Sequence, residues 1–205
     1  MFVSNVGRKH FWEVGLRVGV LAVQGAVREH LEALRRLGVE AMGVRTPEEV
    51  AASEALIIPG GESTTIGKLM ARYGLMEPVR ELVRSGRPLL GTCAGMILMA
   101  KRVEAAGADQ PGLGVMDISV ERNAYGRQVD SFEADLDFAG VEGGPVRAVF
   151  IRAPLIRELG EGVEALAEHE GKVVAARQGR LLALAFHPEL TDDLRVHQHF
   201  VSLAG

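Results

Sequence analysis

The sequence predicts an α/β domain: an open, mostly parallel sheet in three layers, with helices on both faces and an antiparallel extension. Three observations predict it. Short runs rich in Val, Leu and Ile alternate with segments that carry a helical apolar stripe, the pattern of a parallel sheet covered on both sides. Several of these runs stop at glycine or Pro-Gly, where a buried strand must turn. The middle of the chain changes to mixtures such as VDSFEADLDF over 129–138, which suit strands with one wet face.

The elements follow in order. Residues up to about Gly15 show no period and carry the single Trp; they are read as an N-terminal extension, 1–15, without an assigned role. LRVGVLAVQ, from Leu16, is a Val-rich strand ending before Gly25. Val27, Leu31, Leu34 and Leu37 then recur at helical spacing and Gly38 closes the helix, as glycine does past a helix C-terminus. VEAMGV is a second strand, PEEVAA a short helix with Pro first, and ALIIPGG a third strand. A helical region over about Thr64 to Arg84 breaks at Gly74. RPLLGTCAGMILMA reads as strand, sharp turn and apolar helix. The stretch from about Val115 to Ile151 is the expected antiparallel extension. KVVAARQGRLLALAF is a hairpin turning at Gln178-Gly179, and a last helix covers about Asp193 to Leu203.

Length and charge bound the functions available. At about 150 residues per domain, a chain of 205 residues makes one domain, here 16–205. Lys and Arg number 23 against 27 Asp and Glu, a net charge of −4, which supplies no basic footprint for nucleic acid or anionic lipid. An apolar fraction of 47% with 24% charged residues builds an ordinary core. One cysteine excludes an internal disulfide and a multi-cysteine zinc site, and His197 and His199, two apart on the last helix, face differently and make no metal pair. No apolar run approaches the roughly 18 residues of a membrane helix, and the first seventeen residues lack the apolar stretch of a signal peptide. A cytoplasmic domain with no metal, cofactor or membrane is therefore expected. His30 and His169 are expected to be exposed.

Three loops carry the chemistry. Gly91-Thr92-Cys93-Ala94-Gly95 lies between a strand and an apolar helix, the arrangement of a nucleophile elbow with Cys in place of Ser. The small neighbours allow a sharp turn that lifts the sulfur from the sheet towards a helix N-terminus, whose dipole favours negative charge. The N–H of Ala94 then points where an oxyanion would form. A lone cysteine is more often a small buried hydrophobe; its strand–turn–helix setting reverses that expectation. Phe186-His187-Pro188-Glu189 follows the apolar run from Leu181. A carboxylate two residues beyond a strand-end histidine can reach the imidazole nitrogen that the nucleophile leaves free. Taken alone, this pair would more often be a strand-end histidine beside a solvated Glu. Pro59-Gly60-Gly61-Glu62-Ser63 ends the third strand; its glycines let backbone N–H groups face a ligand as a second oxyanion donor, while Ser63 caps the next helix. All three loops fall at strand carboxyl ends, where open α/β sheets bind ligands.

PGGES, GTCAG and FHPE, in this order, resemble the class I glutamine amidotransferases, which have a flavodoxin-like sheet. AVQGAVREH (22–30), PGGESTT (59–65), ERNAYGRQVDSFEADL (121–136), FIRAP (150–154) and AFHPELT (185–191) more narrowly resemble the glutaminase subunits of pyridoxal 5′-phosphate synthases. The resemblance covers about Leu16 to Leu203. It implies hydrolysis of L-glutamine to glutamate and ammonia through Cys93, His187 and Glu189, with Gly60, Gly61 and Ala94 around the oxyanion. It also implies substrate contacts at Gly61, Glu62, Ser63, Arg122, Ile151 and Arg152, and a partner synthase subunit facing the loop of Gln24 in a large complex. A glutaminase of histidine biosynthesis would carry the same triad, but the AVQGAVREH and ERNAYGRQVDSFEADL stretches disfavour it. A non-catalytic module on this sheet would lose Cys, His or Glu, and none is lost.

Overall fold

The Val- and Leu-rich runs pair side by side as expected. The structure, a computed structural model, describes residues 15–104, 111–122 and 131–205. Most of the N-terminal extension and residues 123–130 of the ERNAYGRQVDSFEADL stretch lie outside the described residues.

Strands β1 (Arg17–Leu21), β2 (Glu40–Val44), β3 (Ala55–Ile58) and β4 (Leu89–Thr92) are parallel to one another, and β12 (Leu181–Leu184) adds to β4, also in parallel. Strands β10 (Glu164–His169) and β11 (Lys172–Gln178) extend that edge antiparallel, giving a seven-stranded order of β10-β11-β12-β4-β3-β1-β2. The central strands β3, β4 and β12 are buried along their whole length, which explains their mostly apolar character. Each fully buried Leu or Ile contributes about 1.5–3 kcal/mol.

Helix α1 (Val27–Arg36) links β1 to β2; α2 (Pro47–Ala52) links β2 to β3; α3 (Ser63–Arg72) and α4 (Met76–Arg84) link β3 to β4. Strand order runs outward one way from β1 and the other way from β3, so right-handed crossovers put α1 on one face and the other three on the opposite face. Consistent with this, α2 packs on α4. Helix α6 (Arg195–Ser202) lies against α1, with His197 bonded to His30. Local chemistry sets the boundaries. Thr46 and Glu49 form a reciprocal capping box on α2, with Pro47 first in the helix. Gly38 and Gly74 take positive φ (74° and 70°) just beyond α1 and α3. Among the described residues no helix is long and apolar enough to cross a membrane.

Between α5 (Ala94–Met99) and β10 the chain forms two small sheets. Strands β5 (Ala100–Glu104), β6 (Met116–Glu121) and β9 (Leu155–Leu159) make one; β7 (Ser131–Leu136) and β8 (Val146–Ile151) make the other. The expected antiparallel pairing is present in β7–β8 and β6–β9, whereas β5–β6 is parallel. The main sheet's antiparallel edge is β10–β11–β12 instead. In the β11–β12 hairpin Gln178 pairs with Leu181, so the two-residue turn is Gly179-Arg180, one residue later than expected, with Gly179 at φ 59°.

Candidate active site

The elbow after β4 is held from several directions. Cys93 has φ 48° and ψ −99°, a left-handed backbone that costs a non-glycine residue about 1–3 kcal/mol and persists only where the surroundings impose it. Its N–H donates to the Leu184 carbonyl at 2.7 Å, and its own carbonyl accepts from Ile97 N in α5 at 3.2 Å. The flanking glycines are required by space. A Cβ on Gly91 would lie 2.5 Å from Met99 Sδ, and one on Gly95 would fall on the Ile58 carbonyl of the next strand. Helix α5 thus presses on β3 and β4 and turns the chain over at Cys93, which is 8% exposed. Its Sγ lies 3.9 Å from the Ile151 carbonyl.

β12 delivers the imidazole. Beyond it, His187 N donates to the Val149 carbonyl of β8 at 2.8 Å, so the small β7–β8 sheet anchors this loop. Pro188 then opens a single 3-10 turn, Pro188–Leu190, which folds Glu189 back beneath the ring. His187 Nδ1 is 2.7 Å from Glu189 Oε1, and both residues are 7% exposed. The Cys93 side chain lies close enough to the same imidazole to interact with it electrostatically. Burial works against a charge on His187, but the interactions with Cys93 and Glu189 and the charge of the carboxylate outweigh it, raising its pKa from 6.5 to about 10. Burial also opposes ionisation of Glu189; the facing His30 and His187 overcome it and hold the carboxyl below its ordinary range.

The glycine loop covers the ring. A Cβ on Gly60 would collide with His187 Cε1, and one on Gly61 would come within 2.5 Å of Gln24 Oε1. Gln24 Oε1 accepts from Glu62 N at 2.9 Å, and the Gly60 carbonyl accepts from Ala26 N at 3.0 Å. The loops after β1 and β3, at the point where strand order reverses, are therefore fastened together over His187. Ser63 does not cap α3 as expected: Glu62 occupies the cap position without a side-chain bond, and Ser63 is the first helical residue, buried.

Glu62 and Arg122 are 3.8 Å apart as an ion pair, so a carboxylate and a guanidinium stand together at the end of the glycine loop. Ile151 ends β8 with its carbonyl towards the sulfur, and Arg152 follows at φ 43° with an exposed side chain. Sequence-derived Cys93, His187, Glu189, Gly60, Gly61, Gln24, Glu62, Arg122 and Ile151 are thus linked by contact around one edge of the sheet. Ala94 opens α5 directly after the sulfur.

Three histidines are more buried than their sequence setting suggests. His30, expected to be exposed, is fully buried, with Nδ1 3.0 Å from His197 Nε2 and Nε2 3.2 Å from Thr92 Oγ1. Position 30 lies three residues after Val27 and four before Leu34, on the apolar stripe of α1, and that was the available signal. His197 likewise lies beside Val196 and three before Phe200, all buried. His169 is half-buried, stacked on Phe132 and Phe150. No cluster of three or more His, Cys, Asp or Glu suited to a metal occurs among the described residues.

A buried cysteine sulfur, an imidazole whose raised pKa suits it to accept a proton, and a carboxylate bonded to that imidazole make an arrangement whose chemistry suits acyl transfer. Comparison with known proteins narrows the chemistry. Residues 20–204 match the model of the SNO glutamine amidotransferase family. The chain is 57% identical over 186 residues to the pyridoxal 5′-phosphate synthase subunit PdxT of Carboxydothermus hydrogenoformans, covering 91% of this chain and 96% of that one. It is 60% identical over 186 residues to the protein of the same name from Pelotomaculum thermopropionicum, covering 91% and 94%. A crystal structure described as a glutamine amidotransferase superposes with a TM-score of 0.87 at 56% identity, over 92% of this chain and 98% of that one.

Proposed function

The chain belongs to the SNO glutamine amidotransferase family, and on that premise we propose that it is the glutaminase subunit of a pyridoxal 5′-phosphate synthase, hydrolysing L-glutamine through Cys93, His187 and Glu189 and passing ammonia to a cytoplasmic partner synthase. The observation that carries this reading is the 2.7 Å contact of His187 with Glu189 at the sheet edge, on an imidazole that also interacts electrostatically with Cys93.

In this mechanism Cys93 Sγ attacks the side-chain amide carbon of glutamine, and its proton passes to His187. The C–N bond breaks as His187 returns that proton to the leaving nitrogen, giving ammonia and a glutamyl thioester. Water, deprotonated by His187, then cleaves the thioester to glutamate and restores the thiol. Glu189 fixes the imidazole and offsets its charge in both halves. The oxyanion lies over the N–H of Ala94, with the amides of the Gly60-Gly61 loop as the second donor. Glu62 suits the substrate ammonium and Arg122 its carboxylate, by a forked contact; the two stand 3.8 Å apart. Ser63, Ile151 and Arg152 complete the substrate contacts. An electrophilic glutamine analogue should label Cys93 alone; a label mapping to any other residue overturns the assignment.

Glutamine hydrolysis without a recipient for ammonia is wasteful, and the Gln24 loop offers a means of control. Because Gln24 holds the Glu62 amide and Ala26 holds the Gly60 carbonyl, a partner that moves the first loop moves the second oxyanion donor with it. Addition of the synthase subunit should raise kcat by about tenfold or more, the magnitude that one oxyanion donor supplies or exceeds. Equal rates for the isolated and assembled subunit would reject this control.

Gly60 gives a sharper test of the site's geometry. A methyl group there meets His187 Cε1, so Gly60→Ala must displace the loop or the ring. A misplacement near 1 Å costs about 10²-fold. Steady-state kinetics should show a fall of that order in kcat with an unchanged circular dichroism spectrum; activity within twofold of the parent contradicts the packing described.

A further inference from the structure

The proposed triad leaves one buried charge unaccounted for. Glu189 Oε1 faces His187, but Oε2 has no hydrogen-bond partner among the described residues. A buried carboxylate oxygen left unsatisfied is costly. Its polar neighbour is His30 Nε2 at 3.4 Å, across a contact in which both side chains are fully buried. That separation is long for a hydrogen bond and fits an N–H shared between two acceptors, the other being Thr92 Oγ1 at 3.2 Å.

The carboxylate selects the tautomer. If His30 carried its proton on Nδ1, the lone pair of Nε2 would face a carboxylate oxygen 3.4 Å away, which is repulsive. With the proton on Nε2, the N–H faces Glu189 and Thr92, and Nδ1 accepts from His197 Nε2–H at 3.0 Å. His197 Nδ1 is then the bare acceptor nitrogen, in accord with its having no partner among the described residues; an unmade acceptor is easier to bury than an unmade N–H. One proton placement thus serves His30 and the carboxylate and leaves only an acceptor nitrogen of His197 unmade.

We propose that His30 is a positioning residue of the active site: its Nε2–H holds Oε2 of Glu189, and His197, from α6, fixes the tautomer that makes this possible. The inference rests on the reading of Cys93, His187 and Glu189 as the triad and adds a second layer behind it. The ionisable groups facing His30 are Glu189 and His187 from the loop after β12, His197 from α6 and Glu29 from its own helix. Burial outweighs the attraction of Glu189 and pushes the His30 pKa down, and burial with the neighbouring His30 pushes His197 to about 3. Both rings stay neutral at physiological pH and act through N–H dipoles rather than charge. Thr92, the last residue of β4 and next to the nucleophile, ties the same imidazole to the elbow.

Two variants separate positioning from packing. His30→Leu keeps apolar bulk and removes the donor; His30→Gln keeps a side-chain N–H. The Leu variant should lose about 10- to 100-fold in kcat for glutamine, the range for outer residues that orient a functional group, with KM within about twofold. The Gln variant should recover most of that loss. Equal impairment of the two, or full activity in both, overturns the proposal. Should the Leu variant not fold, ¹⁵N NMR of the imidazoles in the unaltered protein decides. Neutral His30 and His197, each protonated at Nε2, support it, and His30 protonated at Nδ1 refutes it. The NMR measurement needs no turnover, so it is independent of the labelling experiment on Cys93. Labelling elsewhere with Nε2-protonated His30 removes the triad and keeps the His30–Glu189 contact; labelling of Cys93 with Nδ1-protonated His30 does the reverse.

Discussion

Cys93→Ala is expected to lower glutamine hydrolysis by at least about 10⁴-fold, because in the proposed mechanism Cys93 alone forms the thioester and its removal leaves only binding and oxyanion stabilisation. The fold should survive. Alanine keeps the Cβ, the backbone bonds to Leu184 and Ile97 involve no sulfur, and the Sγ contact with the Ile151 carbonyl is a weak one at 3.9 Å. The strained φ of 48° is unfavourable for Cys and Ala alike. In complex with the synthase subunit, the variant should still support pyridoxal 5′-phosphate formation from added ammonium salts, since the defect lies before ammonia release. Product assays with glutamine and with ammonium as alternative nitrogen sources make the distinction. Loss of both activities would point to a failed assembly, and retention of glutamine-fed synthesis would exclude Cys93 as the nucleophile.

The elbow was legible because its constraints are written in residue size. Gly91 and Gly95 flank the cysteine where α5 presses on β3 and β4, and no side chain fits there. His187 and Glu189 were legible because both belong to one short segment, in which a Pro-led 3-10 turn folds the second residue back on the first. The central parallel strands stood out for a related reason: β3, β4 and β12 are buried along their whole length and read as mostly apolar runs, whereas the edge strand β2 leaves Glu40 and Gly43 exposed. By contrast β9 and β10 expose most of LIREL and EALAEH and carry no strong alternation. His30 was misjudged because its meaning lies in residues 167 positions away: Arg28 and Glu29 beside it read as a solvated helix face, and only the docking of α6 buries the ring against His197. Likewise nothing in the sequence ties Gln24 to the Glu62 amide; that bond exists because strand order reverses between β1 and β3.

Glu189→Gln tests the electrostatics of the site, and its expected effects have definite signs. The carboxylate accepts the Nδ1 proton of His187, leaving Nε2 free to take the thiol proton. A glutamine amide can present an N–H to Nδ1 instead, which forces the ring proton onto Nε2 and blocks it as a base; the same change in a serine-protease triad costs about 10⁴-fold. A loss in kcat between about 10² and 10⁴ is expected here, with a smaller change in KM. Glu189 is also one of the groups that raise His187 to about 10, so the variant's imidazole should titrate well below that value. Stability follows by linkage. A raised histidine pKa stabilises the folded state fully below the ordinary 6.5, and that contribution disappears as pH rises through about 10. A depressed glutamate contributes above the ordinary 4.5 and fades as pH falls through its folded value. The parent should therefore exceed the variant in stability most between about pH 4.5 and 6.5, with the gap narrowing towards pH 10. Urea denaturation across that range, alongside the imidazole titration by NMR, reads both quantities. A stability gap that widens with rising pH, or a His187 titration unmoved by the substitution, would mean that Glu189 does not hold the imidazolium.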